Sequence, residues 1–182
     1  MPKASARLPI GLLLACSVFA LGHSKRMAEI DRYCVLLRHD TALASPFVFS
    51  GPDPWAQLDE VPAQMPDEAL ALVYTVGPDV RWIFLRIVDA NQGWAEDVNY
   101  YFQQDGTIVK RVREVESTAA NVLLEVTTYY EDGRVLKEHT RHHSLGAGRQ
   151  RLDAFEDPDA PLFWSVDDLP FPDIPDLWRR LA

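Results

Sequence analysis

The sequence predicts an α+β fold. It reads as an antiparallel β-meander of about six strands with an N-terminal amphipathic helix and a proline-rich C-terminal tail packed on the sheet. Three observations carry this. Six β-rich runs follow one another between residues 70 and 143. Asp105-Gly106 and Asp132-Gly133 separate such runs, and Asp-Gly supplies the positive φ that the tightest hairpin turns need. Ahead of them, RMAEIDRYCVLLRHD repeats apolar residues at helical spacing.

The chain opens on Lys3 and Arg7, with no acid before Glu29, and residues 8–22 read LPIGLLLACSVFALG. A basic start, a short apolar run and a small-residue exit make a secretory signal. The run is shorter than the ~20 apolar residues of a membrane-spanning helix. Ala20-Leu21-Gly22 places cleavage before His23, so residues 1–22 read as a signal peptide and 23–182 as one β-rich domain. Leu13-Leu14-Ala15-Cys16 resembles a bacterial lipoprotein signal. That resemblance implies that Cys16 is lipidated and becomes the new N-terminus. Lys25 and Arg26, close behind the run, leave an uncleaved anchor open, while Pro9 and Gly11 argue against a buried N-terminal helix. The expected location is periplasmic, secreted, or anchored on the outer side of the cytoplasmic membrane. Membrane contact is expected only through this segment, if it is uncleaved or lipidated.

Residues 26–40 are expected to form the helix, with Met27, Ile30, Cys34 and Leu37 facing the core and Arg26, Glu29, Arg32 and His39 facing water. Once Cys16 leaves or takes a lipid, Cys34 has no partner for an internal disulfide; it reads as a small apolar residue of the helix face. Residues 44–68 hold five prolines and read as irregular. Phe47-Val48-Phe49 is expected to pair as an edge strand, and Asp53-Pro54-Trp55 to cap a single helical turn.

The strands follow at residues 70–76, 80–88, 97–103, 107–115, 121–130 and 134–143. YFQQDGTIVKR and YYEDGRVLKE are alike and resemble the Tyr-Asp hairpin repeats of large bacterial surface proteins. Two copies read as shared turn chemistry. Residues 146–182 interleave acids with Phe155, Phe163, Trp164, Phe171 and Trp178. A free acidic arm seldom carries so many aromatics, so this segment reads as a tail wrapped on the domain and ending in a short helix from Asp176.

With 27 acidic against 18 basic side chains, the chain carries a formal net charge of −9. That disfavours nucleic acid and anionic membrane surfaces as partners. G-x-S-x-G, G-x-G-x-x-G, the phosphate-loop lysine pattern and H-E-x-x-H do not occur. His139, His142 and His143 form a weak metal-site candidate. On a helix they share a face. On a strand His142 turns away, and His139 and His143 stand ~13 Å apart, too far for one ion. The upstream Asp-Gly turn favours the strand, so no metal or other cofactor is expected. Glu96-Asp97 and Asp167-Asp168 read as solvated surface or caps.

One feature points to binding. Residues 80–88 are apolar on both faces, with Trp82 and Phe84 pointing one way and Ile83 and Leu85 the other. Such a strand must be covered twice, once by the helix and once by the tail or a ligand. Trp82, Phe84, Tyr100 and Phe102 are the candidate ligand-binding residues. The expected function is a non-catalytic, exported or envelope-associated binding module for a hydrophobic small molecule or a protein partner. A secreted hydrolase using the histidine cluster and a structural lipoprotein anchored through Cys16 are the alternatives.

Overall fold

The structure, a computed structural model, describes residues 10–41, 47–51, 55–63, 69–77, 79–89, 93–155, 157–158 and 161–171. Helix α1 (Ile10–Thr41) precedes one antiparallel sheet. Its strands are β1 (Phe47–Gly51), β2 (Ala56–Leu58), β3 (Ala69–Val76), β4 (Asp79–Asp89), β5 (Trp94–Phe102), β6 (Ile108–Ser117), β7 (Val122–Glu131) and β8 (Arg134–His143). Their spatial order is β2-β1-β3-β4-β5-β6-β7-β8. The fold is therefore α+β, and the sheet has eight strands where about six were expected.

The six expected runs are β3 to β8, an unbroken meander. The other two strands lie in the proline-rich stretch read as irregular. β1 is not an edge strand: it pairs with β3 on one side and β2 on the other. At three residues β2 is too short to show an alternating pattern, and it lies where a helical turn was expected. Asp53 and Pro54 are outside the described residues. Gly51 explains how the β1–β2 end packs: a Cβ there would stand 2.4 Å from the Trp55 ring. Trp55 in turn meets Phe171 edge-on at 5.0 Å.

The two Asp-Gly pairs make different turns. Asp132 (φ 49°) and Gly133 (φ 69°) are both left-handed, as a two-residue hairpin turn requires. At the other pair only Gly106 is left-handed, with φ 80°. There the Asp105 carboxylate accepts from the Thr107 N–H and hydroxyl, which stabilises the longer loop between Phe102 and Ile108.

α1 is longer than the expected span and continues without a break through residues 10–22. Gly11 and Gly22 each cost a helix only about 1 kcal/mol relative to alanine, and the Leu and Ala residues between them favour it. Pro9 lies ahead of the first helical residue. Among the described residues no helix is long and apolar enough to cross a membrane. The predicted stripe is the docking face: Ile30, Cys34 and Leu37 are buried against Tyr101, Val109 and Tyr129, with Met27 beside them. Arg26 pairs with Glu131 at 2.9 Å and Lys110 with Asp31 at 2.6 Å. Arg38 lies over the Trp82 and Tyr101 rings. The helix thus crosses β4 to β7 near one end of the sheet.

The opposite face carries the largest core cluster, including Phe49, Ile83, Leu85, Val98, Tyr100, Phe102 and Tyr130, together with Phe163 and Phe171. Phe171 stacks on Phe49 at 4.8 Å, and Phe163 lies 5.2 Å from Tyr100. The Tyr100 hydroxyl donates to the Pro161 carbonyl. Two backbone bonds join this segment to the β5–β6 hairpin: Ile108 N–H to the Trp164 carbonyl, and Val166 N–H to the Gly106 carbonyl. Residues 172–182, with Trp178 and the helix expected from Asp176, lie outside the described residues.

Candidate functional site

α1 packs over the row of its sheet face that holds Tyr101 and Tyr129, and over Val109 beside it. Cross-strand register places Trp82, Tyr101, Lys110, Tyr129 and Lys137 in that row. The next row holds Phe84, Asn99, Val112, Thr127 and His139, and the third holds Arg86, Asp97, Glu114, Glu125 and Arg141. Between the helix and these outer rows lies an open groove of about 560 Å³. Its helix wall is Asp31, Cys34, Val35 and Arg38, and Val112, Thr127 and His139 lie on its floor. Val35 is 65% exposed, an apolar side chain on the groove's rim.

The chemistry of the lining is quiet. Burial pushes the Cys34 thiol up to about 12, so it is protonated and shielded at neutral pH. Burial, with Asp31 adding to it, pushes the Tyr129 phenol to about 12. Asp31 accepts from both Lys110 and Tyr129, at 2.6 and 3.0 Å, so neither its charge nor the ammonium is idle. Glu125 meets His143 at 3.1 Å. Neither the Cys34 thiol nor the Tyr129 phenol is lowered toward neutrality, as an activated nucleophile would be. In the third row Asp97, Glu114 and Glu125 are adjacent cross-strand neighbours, a like-charge arrangement that Arg86 offsets at its β4 end. Arg86 binds both Asp97 oxygens at 2.9 Å.

The four candidate ligand-binding residues divide between the two faces. Trp82 and Phe84 lie on the helix face and are half-buried; Tyr100 and Phe102 lie on the other and have 0% exposure. Trp82 is sandwiched in a ladder, 4.2 Å from Tyr74 and 6.2 Å from Tyr101, so its ring faces are already used. Phe163 and Phe171 belong to the cluster with Ile83 and Leu85 on one face of β4, and on the helix face Arg38 lies over Trp82.

β8 splits the histidines: His139 and His143 share the helix face and His142 points away. Among the described residues no group of His, Cys, Asp or Glu could hold a metal ion. Cys16 falls within α1, and its side chain lies outside the described residues.

Glu96 and Asp97 are not solvated surface. Glu96 is 1% exposed and accepts from the Arg113 guanidinium at 2.6 Å, while Arg113 also reaches Asp157 at 2.8 Å and the Pro158 carbonyl at 2.7 Å. The two partners pull in opposite directions. Burial raises the Glu96 carboxyl. Burial also works to lower Arg113, but its bonds to Asp157 and Glu96 outweigh that and raise it. Because a guanidinium stays charged at any relevant pH, the ionised pair is the state that governs near neutrality. This clamp ties the chain at Asp157 to the sheet. Asp168, by contrast, is a cap and accepts from the Trp164 and Ser165 N–H groups.

Comparison with protein-family models, with curated proteins and with solved structures returns no match for this chain.

Proposed function

We propose that the chain is an exported, non-catalytic binding module whose ligand surface is the open groove between α1 and the outer rows of the sheet. The observation that carries this reading is the groove itself: a long wall, a flat floor, and a lining without an activated nucleophile. Its mixture of Val35, Val112 and Thr127 with Arg38, Glu114 and Arg141 suits a protein or peptide better than a purely hydrophobic small molecule. A hydrolase at the histidines is the weaker reading, because the strand divides its ligands.

Export is compatible with the docking of α1. The described helix–sheet ion pairs begin at Arg26, so cleavage before His23 leaves them intact. We also infer that residues 23–182 act as one domain in which the tail from residue 146 is a wrapped structural element. The Phe163, Phe171 and Asp157 contacts support that inference.

The test combines three measurements. Mass spectrometry of protein from the native host should give a chain starting near His23 or a lipidated Cys16; an intact Met1 in the cytoplasmic fraction overturns export. NMR titration with a peptide library should move resonances of Val35, Val112 and Thr127, and Thr127→Trp, which fills the floor, should abolish the shifts. Turnover of any ester, amide or phosphoester substrate that is lost in His139→Ala overturns the non-catalytic reading.

A further inference from the structure

The meander ends on β8, and no strand among the described residues pairs with its outer edge. β8 has ten residues, contains no proline, and is exposed at every position except Leu136. From Lys137 to His143 its register against β7 is regular; the single shift lies between Tyr129 and Tyr130. Such an edge presents a row of free backbone donors and acceptors.

Its charge runs against that of the rest of the molecule. Arg134, Lys137 and Arg141 oppose a single acid, Glu138, in a chain of net charge −9. The carboxylates nearest these cations are already engaged. Glu131, opposite Arg134, pairs with Arg26, and Glu125, opposite Arg141, meets His143. Glu138 accepts from the Thr128 hydroxyl at 3.0 Å. Among the described residues Arg134, Lys137 and Arg141 have no carboxylate within ion-pair distance. The register sets all three on the helix face, with Lys137 and Arg141 in alternate outward positions along the strand. Edge charges commonly serve only to block aggregation. In a strongly acidic protein, however, a basic edge attracts acidic chains rather than repelling them.

We propose that the outer edge of β8 takes an extended acidic polypeptide segment as a ninth strand. Backbone bonds to the edge provide affinity, and carboxylates at alternate positions of the partner meet Lys137 and Arg141. A second copy is a poor occupant, since two β8 strands side by side bring excess positive charge together. The strand would bond at the sheet edge; Arg141 also lines the groove, and Lys137 and the edge backbone distinguish this site from it.

The probe is a fluorescent ten-residue peptide alternating glutamate with threonine and valine, titrated by anisotropy into the full mature chain at low salt. Saturable binding is expected, with NMR shifts confined to β8 and the adjoining β7. Lys137→Glu with Arg141→Glu should weaken it at least tenfold while the melting temperature stays put, since both side chains are exposed. Methylating every second peptide amide, in the register that blocks the edge bonds, should do the same. Equal affinity for both N-methylated registers means charge adsorption alone and overturns the proposal. So does equal binding of single-stranded DNA of the same charge, concentration-dependent self-association through β8, or no binding at millimolar peptide. Thr127→Trp should leave this binding unchanged.

Discussion

Removing the chain beyond Gly148 tests the role of the tail most directly. The truncation strips Phe163 and Phe171, both buried, from the core cluster and exposes Ile83, Leu85, Tyr100 and Phe102 beneath them. Burying one such ring is worth about 1.5–3 kcal/mol, and a buried Phe→Ala change costs about 3–5 kcal/mol once the cavity is included. The Arg113–Asp157 pair and the bonds to Ile108 and Gly106 are lost as well. A single tail substitution cannot cost more than the whole docking free energy, because beyond that limit the tail simply detaches. Phe163→Ala is therefore expected to cost about 3 kcal/mol, or about 6–12 °C for a domain of this size. Phe163→Ala with Phe171→Ala should fall short of additivity and approach the truncated chain. Circular dichroism melts, with a dye that fluoresces on apolar surface, read both effects. A truncated chain that melts within about 2 °C of the full one and binds no dye would refute the wrapped-tail reasoning and leave the Ile83–Leu85 face as an open ligand surface.

Three further outcomes are expected. Burial raises the Glu96 carboxyl above its ordinary value of 4.5, so the folded chain holds that proton to higher pH than the unfolded one. The resulting stabilisation is complete below 4.5 and lost as pH rises through the raised value; urea midpoints should decline less over this window in Glu96→Gln, and identical slopes would contradict the assignment. Gly106→Ala places a Cβ 2.8 Å from Val166 at φ 80° and should destabilise by about 1–3 kcal/mol, partly recovered by Val166→Ala, whereas no recovery would mean that strain rather than contact dominates. Cys34, its thiol raised to about 12 by burial, should react with iodoacetamide at pH 7.5 only as fast as the protein opens; rapid labelling of the folded chain would contradict its place under α1.

What the sequence made legible follows from which interactions are periodic. The 3.6-residue stripe of Met27, Ile30, Cys34 and Leu37 and the alternation of residues 97–103 report burial directly, so helix face and strands β3 to β8 were readable. The β1–β2 hairpin was not, because its three-residue strand carries no period and its fit depends on Trp55 lying over Gly51. Alternation also assigns faces strand by strand without ordering them across the sheet. Trp82 and Tyr100 looked equivalent as apolar strand residues, yet the register of β4 against β5 puts Trp82 beside Tyr101 and Tyr100 beside Ile83.

The polar residues were hardest to read, and they explain the division of labour between the two faces. Glu96 and Arg113 look solvated as charges in isolation. Only the register, which sets Arg113 opposite Val98 and Glu96 opposite Val115, puts them on an apolar face where neither survives without the other. On that face Asp157 completes the pairing, so the charges there hold chain to chain. On the other face the helix leaves Glu114, Thr127 and Arg141 along an open floor that ends at basic β8, whose outer edge pairs with no strand among the described residues. A buried ion pair must find its partner within the fold. An exposed charge need not, and cations on β8 that have no carboxylate within ion-pair distance among the described residues, against an acidic background, are what the ninth-strand proposal rests on.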